Sequence, residues 1–120
     1  NIIIYNSLPS YQSLRYYLKE RETELCVSYI SKVEVLGYHK LSEIERQIFN
    51  GFFSEIALIP VSNDLLEKFI SIRQNTKISL GDSIIAATSI LYDVPLLTNN
   101  ETDFSGIPNM KLKSLASIAP

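Results

Sequence analysis

Residues 80–100 read LGDSIIAATSILYDVPLLTNN, and this stretch decides the fold. Asp82 opens an apolar run through Ile84, Ile85, Ala86, Ala87, Ile90 and Leu91, which predicts a helix over residues 82–92. A helix this apolar is buried on most of its sides. Residues 95–98 follow as a short strand, and a polar loop comes after them. A helix followed closely by a strand is half of a repeating βα unit, the pattern of a mostly parallel sheet.

The same alternation continues outward. Towards the N-terminus, residues 63–75 predict a helix capped by Asn63 or Asp64, and residues 57–61 a strand. Residues 42–54 predict a helix opened by a Ser42/Glu45 capping box. Residues 31–37 predict a short helix starting at Ser31 and stopped by Gly37, preceded by a buried strand at 25–28. Residues 9–20 predict a further helix, and residues 2–5 read as strand by β-branched propensity. Towards the C-terminus, residues 111–115 predict an edge strand. No repeat, linker or low-complexity tract interrupts the 120 residues, so residues 1–120 are expected to form one α/β domain.

Composition narrows the function. The hydrophobic fraction is 46%, enough for a packed core and too high for disorder. The one cysteine, Cys26, excludes an internal disulfide. Its apolar setting predicts a buried, inert thiol. With no signal peptide and no long apolar span, the expected location is the cytoplasm, away from membranes. The net charge is −2. A chain that held nucleic acid by charge alone would be basic, so a bound cation is the economical source of positive charge.

Right-handed βα connections bring three segments to the carboxyl edge of the sheet. These are the helix after 25–28, carrying Glu34; the start of the helix at Asp82; and the loop after 95–98, carrying Asp103. Ligands bind at this edge in open α/β sheets. Three carboxylates there repel one another unless a cation compensates. Hard oxygen ligands without a Cys/His cluster select Mg²⁺ or Mn²⁺. Such an ion activates water and steadies the charge of a phosphodiester. Each acid also has a structural reading. Glu34 is spaced to form a capping box with Ser31, Asp82 favours the helix macrodipole, and Asp103 sits among turn residues. Their joint placement is what favours a metal site.

These residues resemble a known family. Asn1-Ile2-Ile3-Ile4-Tyr5 resembles the tail of the D-[ST]-N-hydrophobic opening of PIN-domain proteins. Ser28-Tyr29-Ile30-Ser31-Lys32-Val33-Glu34, with Leu36-Gly37-Tyr38, resembles the family's second motif. Residues 80–88 are similar to its L-x-D-x-x-I-A-A-T helix, and residues 98–104 to its T-x-N-x-x-D-F loop. Order and spacing agree over essentially the whole chain, with VapC-type toxins of toxin–antitoxin pairs the nearest in pattern.

The resemblance implies a three-layer α/β/α sandwich around a mostly parallel sheet. It implies a Mg²⁺- or Mn²⁺-dependent endoribonuclease, the toxin of a type II pair, hydrolysing RNA phosphodiester bonds by metal-activated water. Glu34, Asp82 and Asp103 would be the catalytic, metal-binding acids. Asn1, Ser31, Thr98 and Asn100 would orient ligands or water around them. A homodimer and a cognate antitoxin are implied as partners. The resemblance also turns residues 2–5 into the start of a helix capped by Asn1. It places a first acid, and the central strand that it closes, just ahead of Asn1. The expectation is therefore that the native polypeptide carries a few more N-terminal residues.

Other side chains read more plainly. Arg15, Lys32, Lys40 and Lys77 are candidates to grip phosphates, although each is also an ordinary solvated cation. His39 reads as a loop residue, and tyrosines such as Tyr16, Tyr17, Tyr29 and Tyr38 as packing. Two rival functions stand beside the nuclease. One is a non-catalytic PIN-like binding module working through its dimer or antitoxin surface, without the first catalytic Asp. The other is a phosphatase-like α/β domain, disfavoured because no D-x-D follows the first strand.

Overall fold

The computed structural model describes residues 19–20, 25–98 and 101–114. The expectations for residues 2–5, Asn1, Arg15, Tyr16, Tyr17, Asn100 and the strand ahead of Asn1 lie outside these, as does most of the helix expected at 9–20. The described elements run β1 (Cys26–Ser28), α1 (Tyr29–Leu36), α2 (Glu43–Glu55), β2 (Ala57–Ile59), α3 (Asn63–Asn75), α4 (Leu80–Leu91), β3 (Leu96–Thr98), a 3₁₀ turn (Glu101–Phe104) and β4 (Leu112–Ser114). The expected alternation is present, with elements of the expected kinds.

Among the described residues all the strand pairing is parallel. β1 pairs with β2, Val27 opposite Leu58. β3 pairs with β4, Leu97 opposite Lys113. Among the described residues the two pairs share no ladder. Each pair carries its own hydrophobic cluster. Val35, Phe49 and Phe53 from α1 and α2 gather with Val27 of β1. Leu65, Ile72, Ala86, Ala87, Phe104 and Ile107 form the other cluster, flanked by Leu96 and Leu112. Helix α4 bridges them, packing on α3 and also on α1 and β1.

The apolar helix expected from residues 82–92 is α4, with Ala86 and Ala87 fully buried. Its buried polar residues are all satisfied locally. Ser83 Oγ donates to the Leu80 carbonyl (2.7 Å) and Thr88 Oγ1 to the Ile84 carbonyl (2.7 Å). Ser89 Oγ donates to the Val94 carbonyl (2.6 Å) and fixes the turn into β3. Asp93 in that turn takes the left-handed conformation, φ 51°, which Asp tolerates better than most residues. None of these hydroxyls is left unpaired in the core, where each would cost about 1–3 kcal/mol.

Four sequence expectations are corrected. Ser31 does not start α1; Ser28 does, accepting a hydrogen bond from the Ile30 N–H (3.3 Å). Ser31 and Glu34 therefore lie inside the helix and form no capping box. Helix α3 is capped by Ser62, which accepts from Leu65 N–H (3.1 Å), and not by Asn63 or Asp64. Helix α4 begins before Asp82, at Leu80, with Ser79 as cap. Finally, Cys26 is exposed. It begins β1, whose burial deepens only towards Ser28. Partial burial of the sulfur still pushes the thiol pKa up, so it is a poor nucleophile at neutral pH, as expected. Among the described residues no helix is long and apolar enough to cross a membrane.

Candidate metal centre

The site is built around the first turn of α4. The run Ser79-Leu80-Gly81-Asp82 starts the helix because Ser79 Oγ accepts the otherwise orphaned Asp82 N–H (3.1 Å). In a reciprocal box the Asp82 carboxylate would turn back onto the Ser79 N–H. It makes no such bond among the described residues. It points instead into a cavity of about 430 Å³ lined by Lys77, Ile78, Ser79, Asp82 and Asp103. Capping therefore does not account for the Asp82 side chain, and the expected preference of the helix dipole for a negative charge there still stands.

Asp103 reaches the same cavity from the other side of β3. The 3₁₀ turn Glu101–Phe104 buries Phe104 in the core and leaves Asp103 exposed. Ser105 Oγ donates to the Thr102 carbonyl (2.9 Å) and tightens the turn. Thr98 is buried at the carboxyl end of β3, with two residues between it and that turn's start.

Glu34 arrives from α1. Gly81 has no side chain, and the Glu34 carboxylate occupies the space. A Cβ built on Gly81 would stand 3.3 Å from Glu34 Oε2 and 3.5 Å from its Cδ. Glu34 is thus seated one residue from Asp82, against the positive end of a helix. Ser31 lies one turn earlier on α1. Of the expected site residues, then, Asp82 and Asp103 share a cavity and Glu34 abuts its helix. Asn1 and Asn100 lie outside the described residues.

The three acids do not form a closed ligand set. Among the described residues, no group of three or more His, Cys, Asp or Glu side chains is arranged to hold one ion. The donor chemistry nonetheless fits a hard cation. Mg²⁺ is commonly held by one or two carboxylates with water completing its shell, and Asp82 and Asp103 provide that pair. Ser79 was missed in the sequence reading, although the S-x-x-D spacing from Ser79 to Asp82 signals a cap.

Comparison with known proteins identifies the fold and the family. The solved structure of VapBC2 from Rickettsia felis, bound to a DNA fragment from its promoter, superposes with a TM-score of 0.81 at 23% identity, covering 95% of this chain and 93% of that one. DNA-bound VapBC from Salmonella typhimurium gives 0.78 at 20% identity, covering 87% and 85%. A toxin–antitoxin complex from Klebsiella pneumoniae gives 0.64 at 28% identity, covering 87% and 84%. A search of curated proteins by sequence gives no match. The architecture is thus the expected α/β sandwich with parallel strands. The PIN domain family model matches residues 2–109, and the chain belongs to the PIN domain family.

Proposed function

We infer that this chain is the toxin of a type II toxin–antitoxin pair, a Mg²⁺- or Mn²⁺-dependent endoribonuclease working in the cytoplasm. The observation that carries the reading is the meeting of Asp82 and Asp103 on one cavity at the start of α4. Family membership supports it, and so do neighbours solved as VapBC and toxin–antitoxin complexes. Residues 1–120 are read as a single domain, expected to pair with a second copy and with a cognate antitoxin.

Asp82 and Asp103 would hold the cation, with Glu34 beside them. Such an ion, when bound, neutralises phosphodiester charge and lowers the pKa of water. Without it, carboxylates facing an RNA backbone would repel it. Glu34 has no hydrogen-bond or ion-pair partner among the described residues, so its carboxylate is available to accept the proton of the attacking water. The water oxygen bonds to phosphorus as the P–O bond to the leaving sugar oxygen breaks, and that oxygen takes up a proton from solvent. Thr98, Ser31, Asn1 and Asn100 are assigned the role of orienting ligands around the acids.

The direct test is cleavage of single-stranded RNA with and without Mn²⁺. Asp82→Asn should abolish Mn²⁺-dependent cleavage while the thermal midpoint stays within a few degrees. Retained activity would remove Asp82 from the site. One observation favours a second reading, the binding module without catalysis: no three acids are arranged as a ligand set among the described residues. Calorimetric titration with Mn²⁺ separates the two, since the binding module takes up no heat of metal binding.

A further inference from the structure

The cavity that holds Asp82 and Asp103 also carries Lys77, the one cation among its described lining residues. Lys77 is exposed and takes part in no salt bridge among the described residues. It is therefore not a counter-ion already committed to either acid. Its backbone is nonetheless held on both sides. Before it, Thr76 Oγ1 donates to the Ile72 carbonyl (2.8 Å) at the end of α3. After it, Arg73 Nη1 donates to the Ile78 carbonyl (2.9 Å), and Ser79 is fixed as the cap of α4. A long cationic side chain thus stands on an anchored loop, at the rim of a pocket whose other charges are negative.

A chain of net charge −2 must place its positive charge locally to approach a polyanion. The geometry points to Lys77 as the residue that binds an RNA phosphate at the mouth of this cavity, opposite the carboxylates. The choice of RNA rests on the ribonuclease reading above. Lys77 acts here as a point charge, gripping the backbone without reading its sequence. It holds the strand against the repulsion of Asp82 and Asp103, so the scissile bond is presented to the acids.

The test uses the full chain and a fluorescent single-stranded RNA of mixed sequence, kept in EDTA so that no divalent cation is present to support cleavage. Binding is followed by anisotropy over a series of KCl concentrations. Lys77→Ala should weaken binding about tenfold at low salt, and should lower the slope of log affinity against log salt by about 0.7, the value for one phosphate contact on a single strand. Lys77→Arg should restore both. Mn²⁺ affinity, measured by calorimetry, should hold or rise in Lys77→Ala, because a positive charge beside the carboxylates is gone. Unchanged affinity and slope overturn the proposal. So does loss of Mn²⁺ binding together with RNA binding, which would mean that Lys77 only maintains the acids' geometry. Cleavage of the same RNA in Mn²⁺ is measured in parallel. Cleavage with a Lys77-independent slope sinks the phosphate contact alone. Lys77-dependent binding without Mn²⁺-stimulated cleavage sinks the ribonuclease reading and leaves the contact standing. Failure of the unaltered chain to bind RNA overturns both.

Discussion

Gly81 is the residue whose smallness matters most to the site. Its bare Cα is the seat of the Glu34 carboxylate, so Gly81→Ala would push that carboxylate by a few tenths of an ångström. The backbone there needs no left-handed conformation, and alanine is the better helix former by up to about 1 kcal/mol. The substitution should therefore leave stability equal or improved while Mn²⁺ affinity falls about tenfold, the low end of what displaced supporting groups cost a metal site. Equal Mn²⁺ affinity in Gly81→Ala would separate Glu34 from the metal. Gly37 behaves differently. A Cβ there would collide with the Val33 carbonyl, a backbone atom that cannot swing aside. Gly37→Ala should lower stability by about 1–3 kcal/mol, as overpacking does, with little effect on Mn²⁺ binding. Chemical denaturation reads the first effect and calorimetry the second.

Among the elements, α2 offers the cleanest local test. Its capping box is complete: Ser42 Oγ accepts from the Glu45 N–H, and Glu45 Oε1 accepts from the Ser42 N–H, both at 3.1 Å. The backbone bond from Ser42, followed by the side-chain bond, lowers the Glu45 pKa. A depressed carboxylate pKa means that its stabilisation is whole above the unfolded value of about 4.3 and is lost as pH falls through the folded one. The stability gap between the wild type and Glu45→Ala should accordingly be widest near neutral pH and close as pH falls through the lowered folded value. Ser42→Ala should cost about 1 kcal/mol at neutral pH. Urea titrations at several pH values would show a constant gap if the box contributed nothing.

The elements also show what a sequence can disclose. The Ser42/Glu45 signature is four residues long and self-contained, so it was legible. The caps of α1, α3 and α4 were misplaced because several polar residues stand near each start, and only tertiary packing selects Ser28, Ser62 and Ser79. The apolar runs revealed β1, β2 and β3, although the described strands are only partly buried and β2 is largely exposed. The exposure of Cys26 was not legible, because it depends on what lies beside β1 in space. In the site, the convergence of Asp82 with Asp103 followed from chain topology. The seat of Glu34 on Gly81 did not, because it belongs to the packing of α1 against α4, which no spacing encodes.

For the whole molecule, the proposal ties function to stability. A cation that binds the folded chain and not the unfolded one adds about 2.7 kcal/mol when its concentration is 100 times Kd. Mn²⁺ should thus raise the thermal midpoint of the wild type, and Asp82→Asn should remove the rise. A midpoint indifferent to Mn²⁺ at neutral pH would speak for the binding module.

The two hydrophobic clusters give this coupling a direction. Glu34 hangs from the cluster of α1 and α2, whereas Asp103 hangs from the cluster of α3 and α4, and only the first turn of α4 lies between. A cation held by Asp82 and Asp103, with Glu34 beside it, would tie the two clusters together across the first turn of α4. Amide exchange should then slow across Val35, Phe49 and Phe53 as well as near the pocket, so that occupancy at one small site is felt as cooperativity throughout the chain.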